Sequence, residues 1–240
     1  MKLIRRLAFW GIVGALLFAG GAFAQVTMEL TGVGTGANLG GVYTSPYVAS
    51  INGTSTYVIC DDFLNDISIG DVWQAYQNPL SSVTSSGPQM FTTPDYSPYT
   101  IQQEYDAAAI LAEDVLNTFL SNSPLAEEYS FAIWTLFDPA AINGYGGNTL
   151  SVSQQNLALG FMNSALAQAA TSGAPSGVNV TIYTPDGSIT GGPDGGKGLT
   201  AQEFLVISTP EASLSATLGV SLASLVGLIF LMRRRLVRAG

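Results

Sequence analysis

The chain has 240 residues, no histidine, a single cysteine and a formal net charge of −9. Over residues 25–208 one base, Lys197, stands against sixteen acids, a net charge of −15. This stretch is therefore repelled by nucleic acid and by anionic headgroups, and it lacks the cations that neutralise phosphate. Without histidine there is no Ser-His-Asp or Cys-His triad and no ordinary zinc site, and one cysteine excludes an internal disulfide.

The chain opens on Lys2, Arg5 and Arg6, followed by an apolar run over residues 7–21 that is too short to span a bilayer comfortably. Ala22-Phe23-Ala24 fits the small-x-small cleavage pattern, which predicts a signal peptide over residues 1–24 and a mature start at Gln25. The remainder up to residue 208 has the length of one domain and shows no internal repeat.

Val26, Met28 and Leu30 alternate with polar residues, the period of a half-buried strand. A Gly-rich turn region follows over 32–41. Residues 42–51 and 55–61 read as two strands joined by Asn52-Gly53, a strong hairpin signal. A further strand is expected over 67–75, then a Ser/Thr/Pro-rich loop over 79–98. Helices come next. Thr100-x-x-Gln103 is a capping box, and Tyr105, Ala109, Ala112, Leu116 and Phe119 follow at helical spacing. Ser123-Pro124 predicts an N-cap and first-turn proline for a second helix that ends by Pro139. Ser151-x-x-Gln154 caps a third helix that runs to Gly173. Strand alternation returns over 178–183, and a Gly-rich loop over 187–198 leads to a last strand over 203–208. Strands, helices and strands again predict an α+β class: an antiparallel β-rich domain packed on about three helices.

Four aspartates, Asp61, Asp62, Asp66 and Asp71, crowd one turn region. Their spacing matches no calcium loop, so the expectation is a solvated acidic turn, with no metal and no cofactor. Carboxylate pairs such as Asp62 with Glu104 or Glu128 suit glycoside hydrolysis only if they share a site. Trp73, Tyr76, Tyr96, Tyr99 and Tyr145 are candidates for stacking on sugars, with core packing an equal explanation for Trp73 and for Trp134.

Cys60 lies in Tyr57-Val58-Ile59-Cys60-Asp61-Asp62-Phe63, and Phe131-Ala132-Ile133-Trp134 follows on a helix. This pair of blocks resembles the thioester domains of bacterial surface adhesins. The resemblance implies a strand cysteine joined to a glutamine carboxamide and able to capture amines. In that family the glutamine stands four residues before the tryptophan, where this chain has Ser130. Gln154, Gln155 or another glutamine would have to substitute. Without one, Cys60 is a small buried hydrophobe.

The tail begins Thr209-Pro210-Glu211-Ala212-Ser213. It continues as an uncharged apolar run over 214–232, long enough as a helix to cross a bilayer, and then Arg233, Arg234 and Arg235. The arginines mark a cytoplasmic flank. The order Pro-Glu, apolar helix, arginine cluster resembles the PEP-CTERM sorting signal of exported bacterial proteins, with Ala212 in place of the usual second proline. The blocks Gly41-Val42-Tyr43, Pro46-Tyr47 and Cys60-Asp61-Asp62-Phe63 are also similar to a group of proteins carrying that signal. The resemblance implies an exosortase-type processing enzyme as partner, membrane anchoring before processing, and association with exopolysaccharide at the cell surface or in a biofilm matrix. The sequence thus leads to an exported, non-enzymatic surface or matrix protein. A covalent adhesin using Cys60 and a polysaccharide hydrolase stand as the alternatives.

Overall fold

The computed structural model describes residues 24–208. Ala22, the sorting residues Pro210 and Glu211, the apolar run 214–232 and Arg233 to Arg235 lie outside them. Among the described residues no helix is long and apolar enough to cross a membrane. Residues 24–175 and 180–207 form one compact body. Ser176–Asn179 and Ser208 fall outside that body.

Eight strands and three α-helices make up the described chain. β1 (Ala24–Gly32) buries Val26, Met28 and Leu30 and exposes the residues between them, as its alternation predicts. β2 (Asn38–Leu39) and β3 (Val42–Tyr43) form a small hairpin over Gly40-Gly41, where φ is +58° and +87°. β4 (Tyr47–Ile51) and β5 (Thr54–Cys60) form the Asn52-Gly53 hairpin, with φ of 49° and 84° at its centre. The positive φ pair suits a two-residue hairpin turn, and the Asn52 side chain adds an acceptor for the Thr27 N–H at 3.0 Å.

The single strand expected over 42–51 is interrupted at Thr44-Ser45-Pro46. Pro46 has no N–H to donate, and the Ser45 N–H leaves the ladder to reach the Ser130 hydroxyl at 3.2 Å. The strand expected over 67–75 also shifts, because β6 is Val72–Pro79. Asp71 turns residues 68–71 into a loop by accepting the Ser68 N–H at 2.7 Å.

α1 (Ile101–Thr118) and α3 (Val152–Ser172) start at the two predicted capping boxes, Thr100/Gln103 and Ser151/Gln154. α2 (Ser123–Phe137) starts one residue earlier than expected. Its N-cap is Asn122, whose side chain accepts the Leu125 N–H at 3.4 Å, while Ser123 becomes helical and bonds Glu127. The three helices pack against one another. Ala107, Ala108, Ala109 and Ala112 of α1 are fully buried there, since small side chains allow close approach.

β7 (Asn179–Pro185) and β8 (Phe204–Ser208) complete the sheet. Its order is β1-β4-β5-β8-β7-β6, and β6 pairs back onto β1, so the sheet closes into a six-stranded barrel. The register pairs β1 with β4 and β6, β4 with β5, β5 with β8, and β6 with β7, all antiparallel. β7 and β8 then run in opposite senses as well. Trp73 and Phe204 fill the barrel with ring centroids 6.0 Å apart, each burial contributing about 1.5–3 kcal/mol. α2 touches β5, and this contact joins the helical cluster to the strand that carries Cys60.

Candidate functional site

Cys60 ends β5 and is completely buried, as a free thiol. Its N–H donates to the Ser45 hydroxyl at 3.1 Å, and Ser45 in turn donates its N–H to Ser130, whose hydroxyl bonds back to the Ala126 carbonyl at 2.9 Å. Ser130, at the position where the resemblance calls for glutamine, therefore faces the Cys60 segment but brings no carboxamide. Gln154 and Gln155 are not at the thiol. Gln154 closes the α3 capping box, and Gln155 bonds the Leu150 carbonyl at 3.3 Å.

A different glutamine is there. Gln202, just before β8, is buried and donates from Nε2 to the carbonyls of Asp62, at 2.9 Å, and Asn65. The Cys60 Sγ donates to that same Asp62 carbonyl at 3.2 Å. Sulfur and carboxamide thus converge on one oxygen atom. Sequence reasoning missed this because β5 and β8 meet only through the tertiary register Cys60↔Phe204. Burial pushes the Cys60 thiol well up, and the charges of Asp62 and Asp61 act in the same direction. The Asp62 backbone and then the Trp134 indole oppose them. The sulfur is held as S–H at neutral pH.

The acidic turn is not solvated. Asp61, Asp62 and Asp71 are fully buried, which corrects the expectation, and only Asp66 remains exposed. For Asp62 and Asp71 the reason is that their carboxylates satisfy loop N–H groups. Asp62 accepts from the N–H of Leu64 and from the side chain of Asn65, at 2.9 and 2.8 Å, and Asp71 accepts from Ser68 and Asp194. Among the described residues, no group of three or more acidic or thiol side chains is arranged to hold a metal.

Asp61 differs from its neighbours. It lies beside Glu203 across β5 and β8, and neither of its carboxylate oxygens receives a donor. Glu203 accepts from the hydroxyls of Tyr105 and Thr184 and from the Met90 N–H at 2.8 Å. Burial raises the pKa of Asp61 first, then the charge of Glu203 and that of Asp62. Burial also raises Glu203, against the lowering effect of its donors. Burial and the mutual charge of the two carboxyls act in the same direction and disfavour the doubly ionised pair.

A cleft of about 470 Å³ opens beside this region. Tyr43, Tyr47, Phe63, Trp134 and Tyr145 supply its aromatic lining, and Asn38, Asp66, Ser68 and Gln202 its hydrogen-bonding groups. Phe63 sits at the centre, its ring 5.2 Å from Trp134 and edge-on to Tyr145 at 6.1 Å. Trp134 is 2% exposed and Tyr47 7%, so they form the floor; Tyr43 and Tyr145 are about half exposed and form the rim. The Tyr145 hydroxyl donates to Asp66 Oδ2 at 3.1 Å.

Of the aromatics proposed for sugar stacking, only Tyr145 is in this cleft. Trp73 is barrel core, and the Tyr96 hydroxyl is used by the Thr135 carbonyl at 3.0 Å. Neither Asp62, Glu104 nor Glu128 lines the cleft. Glu104 instead accepts the Tyr96 N–H at 2.7 Å, with its pKa raised by burial to about 7. The signal that could have found the cleft is the density of aromatics in the loop segments around Tyr43, Phe63 and Tyr145.

The chain matches no protein-family model and no curated protein. Among solved structures it is similar to the N-terminal thioester domain of a protein F2-like fibronectin-binding protein from Streptococcus pneumoniae. That similarity has 11% identity and a TM-score of 0.42, over 78% of this chain and 93% of the other. It is likewise similar to the N-terminal domain of the Streptococcus pyogenes pilus tip adhesin Cpa, with 11% identity and a TM-score of 0.44, over 80% and 97%.

Proposed function

We propose that this chain is an exported surface or matrix protein whose body binds extracellular polysaccharide through the aromatic cleft. The observation that carries the reading is the lining itself. Aromatic rings and the polar groups of Asn38, Ser68, Asp66 and Gln202 together line a space large enough for one or two sugar rings. Sugars offer apolar C–H faces for stacking and hydroxyls for hydrogen bonds, so they need both kinds of group at once. Export rests on the N-terminal run with Ala22 and Ala24. Sorting rests on Pro210 and Glu211 followed by the apolar run and Arg233 to Arg235.

Two experiments test it. Titration calorimetry of the full chain, held in mild detergent, against exopolysaccharide fractions should give saturable binding that Tyr145→Ala weakens without lowering Tm. Binding to no fraction refutes the cleft as a polysaccharide site. In a host with an exosortase, an epitope near Ser208 reports processing. Replacing Pro210 and Glu211 with alanine should leave the protein inserted but unprocessed, and an unchanged mature mass would refute sorting.

A second reading, covalent capture, is favoured by one observation: Cys60 Sγ and Gln202 Nε2 share the Asp62 carbonyl. In that reading the sulfur adds to the Gln202 carboxamide carbon and the C–N bond breaks. The thiol proton leaves with the nitrogen as ammonia. Intact mass lower by one ammonia, recovered as an added amine after methylamine treatment, identifies it.

A further inference from the structure

We infer that the cleft selects a sugar carrying a free ammonium group, a glucosamine-type unit, over N-acetylated and acidic sugars. The inference rests on the polysaccharide-binding reading and narrows it by charge. The lining contains one carboxylate, Asp66, and no lysine or arginine. The only base among residues 25–208, Lys197, is tied to Asp194 at 2.6 Å and does not line the cleft. An acidic sugar would bring its carboxylate beside Asp66, inside a body with a net charge of −15, with no cation to offset it.

An ammonium group meets the opposite situation. The rings of Tyr43, Phe63, Trp134 and Tyr145 carry negative π faces, and a cation held against such rings is attracted by their quadrupoles. Asp66 supplies the counter-charge. The Tyr145 hydroxyl fixes it through Oδ2, and Oδ1 accepts no hydrogen bond from the described residues. Asn38, Ser68 and Gln202 are neutral and suit sugar hydroxyls. Acetylation removes the charge and converts the amine to a bulkier amide, so it forfeits both attractions together.

The test uses the full chain in mild detergent at mildly acidic pH, where the amine is protonated. Pentamers of glucosamine, N-acetylglucosamine and galacturonic acid are titrated at low and high salt. The glucosamine pentamer should bind about tenfold more tightly than the acetylated one. The preference should shrink at high salt, and the uronic pentamer should not bind. Asp66→Asn removes the counter-charge, so it should bring the affinity ratio between the glucosamine and acetylated pentamers close to one. Glu29→Gln, an exposed carboxylate on β1, changes the overall charge equally and should leave the preference intact. Equal affinity for glucosamine and N-acetylglucosamine overturns the inference while the binding reading stands. Binding of none of the three overturns both. A lysine-rich peptide that binds as tightly, with the same dependence on Asp66, would show that the ammonium rather than the sugar is recognised and would overturn the sugar assignment.

Discussion

Replacing Asp61 with asparagine tests the buried acid pair directly. In the folded state the Asp61–Glu203 pair holds a proton that the unfolded chain releases near pH 4. A group whose folded pKa is raised contributes stability that is fully present below its unfolded pKa. That contribution is lost as pH rises towards the folded value. Each pH unit over which the pair keeps this extra proton therefore removes about 1.4 kcal/mol of stability. Retention over two pH units would remove roughly 3 kcal/mol, which corresponds to roughly 6–12 °C in Tm for a body of this size. Asp62, Tyr105 and Cys60 also face this region, and Glu104, elsewhere on α1 and raised to about 7, adds its own slope. The comparison with wild type isolates the pair. In the Asp61→Asn variant the introduced amide can donate to an ionised Glu203, so the one-proton slope should disappear. The variant should gain on wild type steadily as pH rises. Tm measured by calorimetry at half-unit steps of pH reads this out. If the two curves run parallel from pH 5 to 8, the pair does not share a proton and the reasoning is wrong.

Three further outcomes follow from described contacts. Gly40→Ala should cost roughly 2–4 kcal/mol in chemical denaturation. Its φ is +58°, and a Cβ there would meet Leu150 Cδ1 at 2.6 Å and Phe131 Cζ at 2.8 Å; a cost below roughly 0.5 kcal/mol would mean that Gly40 is not packed against Leu150 and Phe131. In native protein Cys60 should resist alkylation and react as soon as denaturant exposes it, because it is fully buried and held as S–H; rapid native labelling at neutral pH would contradict that burial. Excess chelator should leave Tm within about 1 °C, because Asp62 and Asp71 already spend their oxygens on loop N–H groups; a larger drop that calcium reverses would make them ligands.

The parts of the fold legible in the sequence are those set by local chemistry. Both capping boxes, the Asn52-Gly53 turn and the alternation of β1 each need only a few neighbouring residues, and each stands where expected. The site was legible only in part. Cys60 and Trp134 were singled out, but Gln202 and Glu203 reach the end of β5 across some 140 residues of chain, and no spacing rule announces such a pairing. The acidic run was misread for a related reason. Solvation is the default for charge in a turn, and what overrides it here is a set of N–H donors supplied partly by distant loops, such as that of Asp194. Barrel closure has the same non-local origin, because it depends on β6 returning to β1.

The closed sheet has a consequence for assembly. An open sheet offers rows of unpaired N–H and C=O groups onto which another chain can add a strand. Here each of the six strands has a neighbour on both sides, but β5 pairs with β8 only through Ile59 and Cys60, so Thr54–Val58 have no ladder partner there. Copies crowded together at high concentration therefore meet a short open stretch rather than a full-length strand edge. A nearly closed barrel of this kind leaves the linking of one molecule to the next mainly to loops, helices or a shared ligand.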